Sequence, residues 1–147
     1  MHISLHHAQV FYPPGEEAKA RAFYENALGL AEIERPESLS DRQGIWYAAG
    51  DGQVHLSAQS DLALHKRRHF ALRVDDLGAM RQKLALHGAR FEEADPIPGW
   101  RRCYVFDPFG NKIELDEIPA IREPERRAIH SRGASPARRV TTRRKKR

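Results

Sequence analysis

At 147 residues and 16.8 kDa, the chain is long enough to bury one substantial core and too short for two ordinary domains. A formal charge of +5 and a pI near 9.7 point first to nucleic acid. However, residues 122–147 hold 11 Lys and Arg against 2 Asp and Glu, leaving 14 against 18 over residues 1–121, a mildly acidic body that excludes a basic folded face.

The single cysteine, Cys103, excludes an intrachain disulfide. No apolar run reaches membrane-spanning length, and residues 1–10 do not read as a signal peptide, so the reducing cytoplasm is the expected compartment.

In chain order, Ile3–Tyr12 alternates as a strand and Pro13-Pro14-Gly15 stops it. A helix follows from Glu16, with Ala18, Ala22, Phe23 and Ala27 at helical spacing, acidic residues in the first turn, and Gly29 placed to end it. Leu30–Arg35, Ile45–Ala49 and Gln53–Ala58 read as strands, the last two joined by Gly50-Asp51-Gly52, a hairpin signal. Residues 59–67 form a polar connection.

The order then repeats. His69–Val74 is a strand, and Asp75 or Asp76 caps a helix carrying Leu77, Met80 and Leu84 before Gly88. Ala89–Glu93 is a strand, and Asp95–Gly99 is a loop. Two further strands flank Asp107-Pro108-Phe109-Gly110-Asn111, where Pro108 presets φ, Asp107 bonds forward to the backbone and Gly110 closes the turn. On the last strand Ile113 and Leu115 take one face, and Lys112, Glu114 and Asp116 the other. Residues 119–147, rich in Arg, Lys, Ser and Pro, are expected to form a basic disordered tail. Nucleic acid is expected to meet it through non-specific contact at most.

Two βαβββ units, about residues 3–58 and 68–117, make equivalent positions comparable. The opening strands carry His7 and His69, and the closing strands carry His55 and Glu114; each lies opposite the apolar face of its strand. Three imidazoles and a carboxylate suit a borderline divalent ion, Zn, Ni, Co, Fe or Mn. Glu114 is both a ligand and the candidate catalytic proton acceptor. His2, His6, His65, His87 and His130 have no matching partner and read as surface or packing residues. Gln9, Phe11, Gln53, Ser57 and Arg73 share the polar face, while Trp46, Trp100, Arg101, Arg102 and Tyr104 flank the expected mouth. Gln9, Phe11, Trp46, Arg73, Trp100, Arg102 and Tyr104 are therefore the candidate substrate contacts, with Arg102 suited to an anionic group.

His7, the run Phe23–Leu30 (FYENALGL), His69, and Asp107–Asn111 before Ile113-Glu114-Leu115 together resemble the vicinal oxygen chelate superfamily: glyoxalases, bleomycin resistance proteins and extradiol dioxygenases. The resemblance implies an α+β fold in which two βαβββ modules, within a domain at residues 1–118, form a cupped mixed sheet around a divalent metal. It implies a metal-dependent lyase, isomerase or thiol transferase acting on a small oxygenated metabolite or its thiol adduct; the alternatives are metal-free ligand sequestration and an extradiol dioxygenase. Two such modules can pair within one chain or across a homodimer; the resemblance favours a homodimer that exchanges modules, His7 and His55 coming from one chain and His69 and Glu114 from the other. One departure is His55, where glyoxalase I usually has a carboxylate; the site carries one fewer negative charge, which speaks against glyoxalase I activity proper.

Overall fold

The computed structural model describes residues 3–39 and 43–117. The first strand, β1 (His7–Tyr12), runs parallel to the strand that closes its own half, β4 (Gly52–Ala58). Between them lie helix α1 (Glu17–Arg21), a π-helical continuation over Ala22–Ala27, β2 (Ala31–Ile33), a 3₁₀ turn (Glu37–Leu39) and β3 (Gly44–Ala49). The second half repeats this plan with β5 (His69–Arg73), α2 (Leu77–Leu86), β6 (Arg90–Glu93), β7 (Arg101–Phe106) and β8 (Lys112–Glu117). The result is two four-stranded mixed sheets in equivalent orders, β1-β4-β3-β2 and β5-β8-β7-β6, each with one parallel pair. The chain is thus α+β, built from two βαβββ units. No helix among the described residues is long and apolar enough to cross a membrane.

Several boundaries differ from those read in the sequence, for identifiable reasons. β1 starts at His7 rather than Ile3, because Ile3 and Leu5 are 86% and 84% exposed and bury nothing. β2 is three residues long; the chain leaves the sheet before Pro36, which has no N–H to give a ladder. The first helix keeps its apolar face by widening: Leu28 N–H donates to the Phe23 carbonyl at 2.8 Å, five residues back. That turn buries Phe23, Tyr24 and Ala27. Of the two candidate caps on α2, Asp76 is the one that caps, accepting from Ala79 N–H at 2.9 Å. The expected basic tail at 119–147, and with it the end of the expected 1–118 domain, lies outside the described residues.

Apolar side chains alternate onto one side of each sheet: Ile45, Tyr47, Val54 and Leu56 in the first, Cys103, Val105, Ile113 and Leu115 in the second, all essentially inaccessible. Together with Tyr24, Ala27 and Leu84 from the helices they make one core.

A polar knot ties the halves together. The Asp107 carboxylate accepts from the Phe109 and Asn111 N–H groups at 2.9 and 2.8 Å, from Asn111 Nδ2 at 2.6 Å, and from the Tyr24 hydroxyl of the first half at 2.8 Å. Asn111 Nδ2 also donates to the Phe11 carbonyl on β1 at 2.8 Å. Burial is the main cause that pushes both Asp107 and Tyr24 upward from their ordinary pKa values. Gly110 (φ 91°) closes the turn, and a Cβ there would come within 2.6 Å of the Leu64 side chain, so the connecting segment is seated on the turn as well.

Each donor in this knot is buried or half-buried, so solvent replaces a lost bond poorly. Tyr24→Phe should therefore cost about 1–2 kcal/mol in urea unfolding. Asp107→Ala, which strands several donors, should cost more. A Tyr24→Phe protein as stable as wild type would contradict this account.

Candidate metal centre

Two pairs of candidate ligands occupy equivalent places in the two sheets. In the first sheet, cross-strand register sets Gln9, His55 and Trp46 side by side on β1, β4 and β3. The His55 ring lies flat between two others, Trp46 at 3.9 Å and 0°, and His7 at 4.2 Å and 15°. His55 Nε2 stands 2.7 Å from Gln53 Oε1. A carbonyl oxygen can only accept, so Nε2 carries the proton and Nδ1 keeps its lone pair. The ring is 5% exposed. Burial first, then the neighbouring His7 and His6, push its pKa down to about 4. His6, read in the sequence as an isolated surface histidine, is 3.0 Å from His7, Nδ1 to Nδ1.

In the second sheet, His69 opens β5 and faces Glu114 on β8. His69 Nδ1 donates to the Arg67 carbonyl at 2.9 Å, while Nε2 lies 2.9 Å from Glu114 Oε2. With its proton on Nδ1, a neutral His69 would set a lone pair against a carboxylate oxygen. Only a proton or a cation between them relieves that contact. The other oxygen, Oε1, accepts from Arg102 Nη1. The edge of Tyr104 meets the His69 ring at 5.4 Å and 73°. Lys112 Nζ sits 3.7 Å from the centre of the Tyr104 ring and 2.7 Å from Glu92 Oε1.

This donor chemistry fits a divalent ion: three imidazole rings and a buried carboxylate. His7 and His55 are paired, and so are His69 and Glu114. Among the described residues, however, no group of three or more His, Cys, Asp or Glu stands close enough to hold one ion. The described residues of one chain thus present the four candidates as two separate pairs.

The remaining candidates are distributed as follows. Gln9 Nε2 donates to Ser57 Oγ at 3.0 Å. Gln9 and Phe11 line a cavity of about 200 Å³ together with Leu62, Leu64, His69 and Lys112. Arg73 lies exposed at the end of β5, in register with Asp116. Trp100, 44% exposed, lines a groove with Leu77, Arg81, Pro96, Arg101 and Arg102. Arg101 pairs with Glu117 at 2.8 Å.

The sequence reading left Asp116 and Lys112 out of the site. Asp116 is 7% exposed, its Oδ1 has no hydrogen-bond partner, and burial followed by the Glu114 carboxylate raises its pKa against the opposing pull of Arg102 and Arg73. The signal was present, because Lys112, Glu114 and Asp116 alternate onto one face.

The His55 shift predicts a pH dependence. Between its folded value of about 4 and its ordinary 6.5, the unfolded chain binds a proton that the folded ring does not, so stability falls as pH drops through that window. In chelator-treated protein the loss should reach at most about 3 kcal/mol. It should be visibly smaller in His55→Gln; equal slopes in the two proteins would contradict the assignment.

Comparison with known proteins agrees with this architecture. The family model of the Glyoxalase/Bleomycin resistance protein/Dioxygenase superfamily matches residues 4–115. A structure described as a glyoxalase family protein from Bacillus anthracis is 35% identical, with a TM-score of 0.75, covering 81% of this chain and 98% of that one. The fosfomycin resistance protein FosX from Listeria monocytogenes shares the fold at 17% identity and a TM-score of 0.66, covering 82% and 97%. A mutant of that FosX, complexed with Mn(II) and 1S,2S-dihydroxypropylphosphonic acid, also has 17% identity and a TM-score of 0.66, covering 86% and 99%. No curated protein matches. With the family model spanning both βαβββ units, the chain belongs to the Glyoxalase/Bleomycin resistance protein/Dioxygenase superfamily.

Proposed function

We propose that this protein is a divalent-metal-dependent enzyme of the glyoxalase-like kind, a lyase, isomerase or thiol transferase. It acts on a small oxygenated metabolite or its thiol adduct, and it works as a homodimer. Each of two sites takes His7 and His55 from one copy and His69 and Glu114 from the other. One observation carries the reading: His69 Nε2 faces Glu114 Oε2 at 2.9 Å while its Nδ1 is taken up by the Arg67 carbonyl, in the place equivalent to His7 and His55, with no third ligand in reach among the described residues. A cation and a second copy answer both features.

A bound ion would supply Lewis-acid polarisation of a carbonyl or enolate oxygen. The chain's own residues do the rest. Trp46 and Gln53 hold the His55 ring in place, by stacking and by a hydrogen bond. Glu114, buried at 5% exposure, serves as ligand and as proton acceptor for the substrate. Gln9, Phe11 and Trp46 form a neutral, partly aromatic wall, and Tyr104 and Arg73 belong to the more polar half. A substrate held between them is screened from water, which strengthens every charge interaction at the reacting atoms.

Protein expressed with several divalent metals available should carry about one ion per chain by elemental analysis. Metal-free protein would replace this reading with ligand sequestration. Oxygen consumption on adding catechols would replace it with a dioxygenase, since isomerases and transferases use none.

Module exchange has its own test. His7→Ala and Glu114→Ala should each bind metal more weakly, by on the order of tenfold or more. If the two are unfolded and refolded together at random, about half the dimers are mixed and about a quarter of all sites regain four ligands. Confirmed mixed dimers without recovered metal would contradict exchange.

A further inference from the structure

We propose that Arg102 is a positioning residue that keeps Glu114 a one-oxygen metal ligand, and so holds open a coordination place for substrate. The inference rests on the metal-site reading above.

The geometry starts from the sheet. Arg102 on β7 is in register with Asp116, two residues beyond Glu114 on β8, so its long side chain reaches Glu114 diagonally. Arg102 Nη1 donates to Glu114 Oε1, while Nε and Nη2 donate to the Asp95 carbonyl at 3.2 and 3.0 Å. One end of the guanidinium is thus anchored to backbone and the other grips one carboxylate oxygen. The side chains are only 15% and 7% exposed, so water competes weakly for either group. The second oxygen, Oε2, is left facing His69 Nε2. The two oxygens of Glu114 therefore have separate duties.

With Oε1 held by a charged donor that draws on its electron density and fixes the tilt of the carboxylate, Oε2 is the better ligand, and one-oxygen ligation is favoured over two. Four protein donors on a six-coordinate ion leave two places, the number that two neighbouring substrate oxygens fill. A two-oxygen Glu114 would take one of them. The first sheet has no such device. The residue matching Arg102 is Gly44, in register with Ser57, and His55 is held instead by Gln53. Three of the five N–H donors of Arg102 are used in this way.

The test compares wild type, Arg102→Met and Arg102→Lys, each loaded with Mn(II), with thermal melting to confirm folding. Infrared difference spectra between loaded and chelator-treated protein, with ¹³C-labelled glutamate, read the separation of the two carboxylate stretches, which is wide for one-oxygen and narrow for two-oxygen ligation. Water-proton relaxation reads the number of waters on the ion. Wild type should show the wide separation. Arg102→Met should show the narrow one with fewer bound waters, and Arg102→Lys, which keeps a charged donor, should move back toward wild type. A wide separation and unchanged water number in Arg102→Met would overturn the proposal while leaving the metal reading intact. Failure of wild type to bind Mn(II) or any other divalent ion would overturn both. A rise in KM with unchanged spectra would return Arg102 to the role of substrate contact.

Discussion

The buried carboxylate of Asp107 is the constraint on which the rest of the molecule depends. It organises its own turn through the Phe109 and Asn111 N–H groups and reaches across to Tyr24 in the other half. Burying a carboxylate is costly unless its oxygens are well supplied with donors; here they receive four. Because Asn111 also holds the Phe11 carbonyl, the start of β8 is fixed against β1. Glu114 lies three residues beyond that anchor. The hairpin turn thus decides where the Glu114 carboxylate stands, although it contributes no candidate ligand itself.

From that anchor the alternation of strands distributes chemistry with few residues. Each strand buries its odd or even positions in the core and presents the others to the polar face, so β4 and β8 place His55 and Glu114 in like positions without any special loop. The two faces differ in electrostatic character. In the first sheet, rings stack around a neutral His55. In the second, Glu114 and Asp116 are buried beside the cations Arg102 and Arg73, and Lys112 lies over Tyr104. Two acidic groups two residues apart on one face repel unless such cations flank them.

Much of this was legible in the sequence because it depends on period and turn chemistry. Gly50-Asp51-Gly52 and Asp107–Asn111 marked both hairpins, and the repeat of strand and helix patterns fixed the equivalence of His7 with His69 and of His55 with Glu114. What escaped was whatever depends on distant contacts. The widening of α1 into a π turn follows from burying Phe23, Tyr24 and Ala27 together, which helical spacing alone does not reveal. The shortening of β1 reflects the lack of any surface for Ile3 and Leu5. Asp116 was seen on the right face but passed over, since only its burial and its unpaired Oδ1 distinguish it from a solvated charge. Trp100 and Arg102 line one groove, and it is the reach of Arg102 from there to Glu114 that sequence proximity alone did not reveal.

The central claim is that two incomplete half-sites on each chain become two complete metal sites when two chains meet. Crystals of the Mn(II)-loaded protein, with diffraction recorded at the manganese absorption edge, test it most directly. The account predicts two anomalous peaks per dimer, each bounded by His7 and His55 of one copy and by His69 and Glu114 of the other. A peak held by ligands from a single chain, or a loaded metal lying away from all four residues, would contradict it.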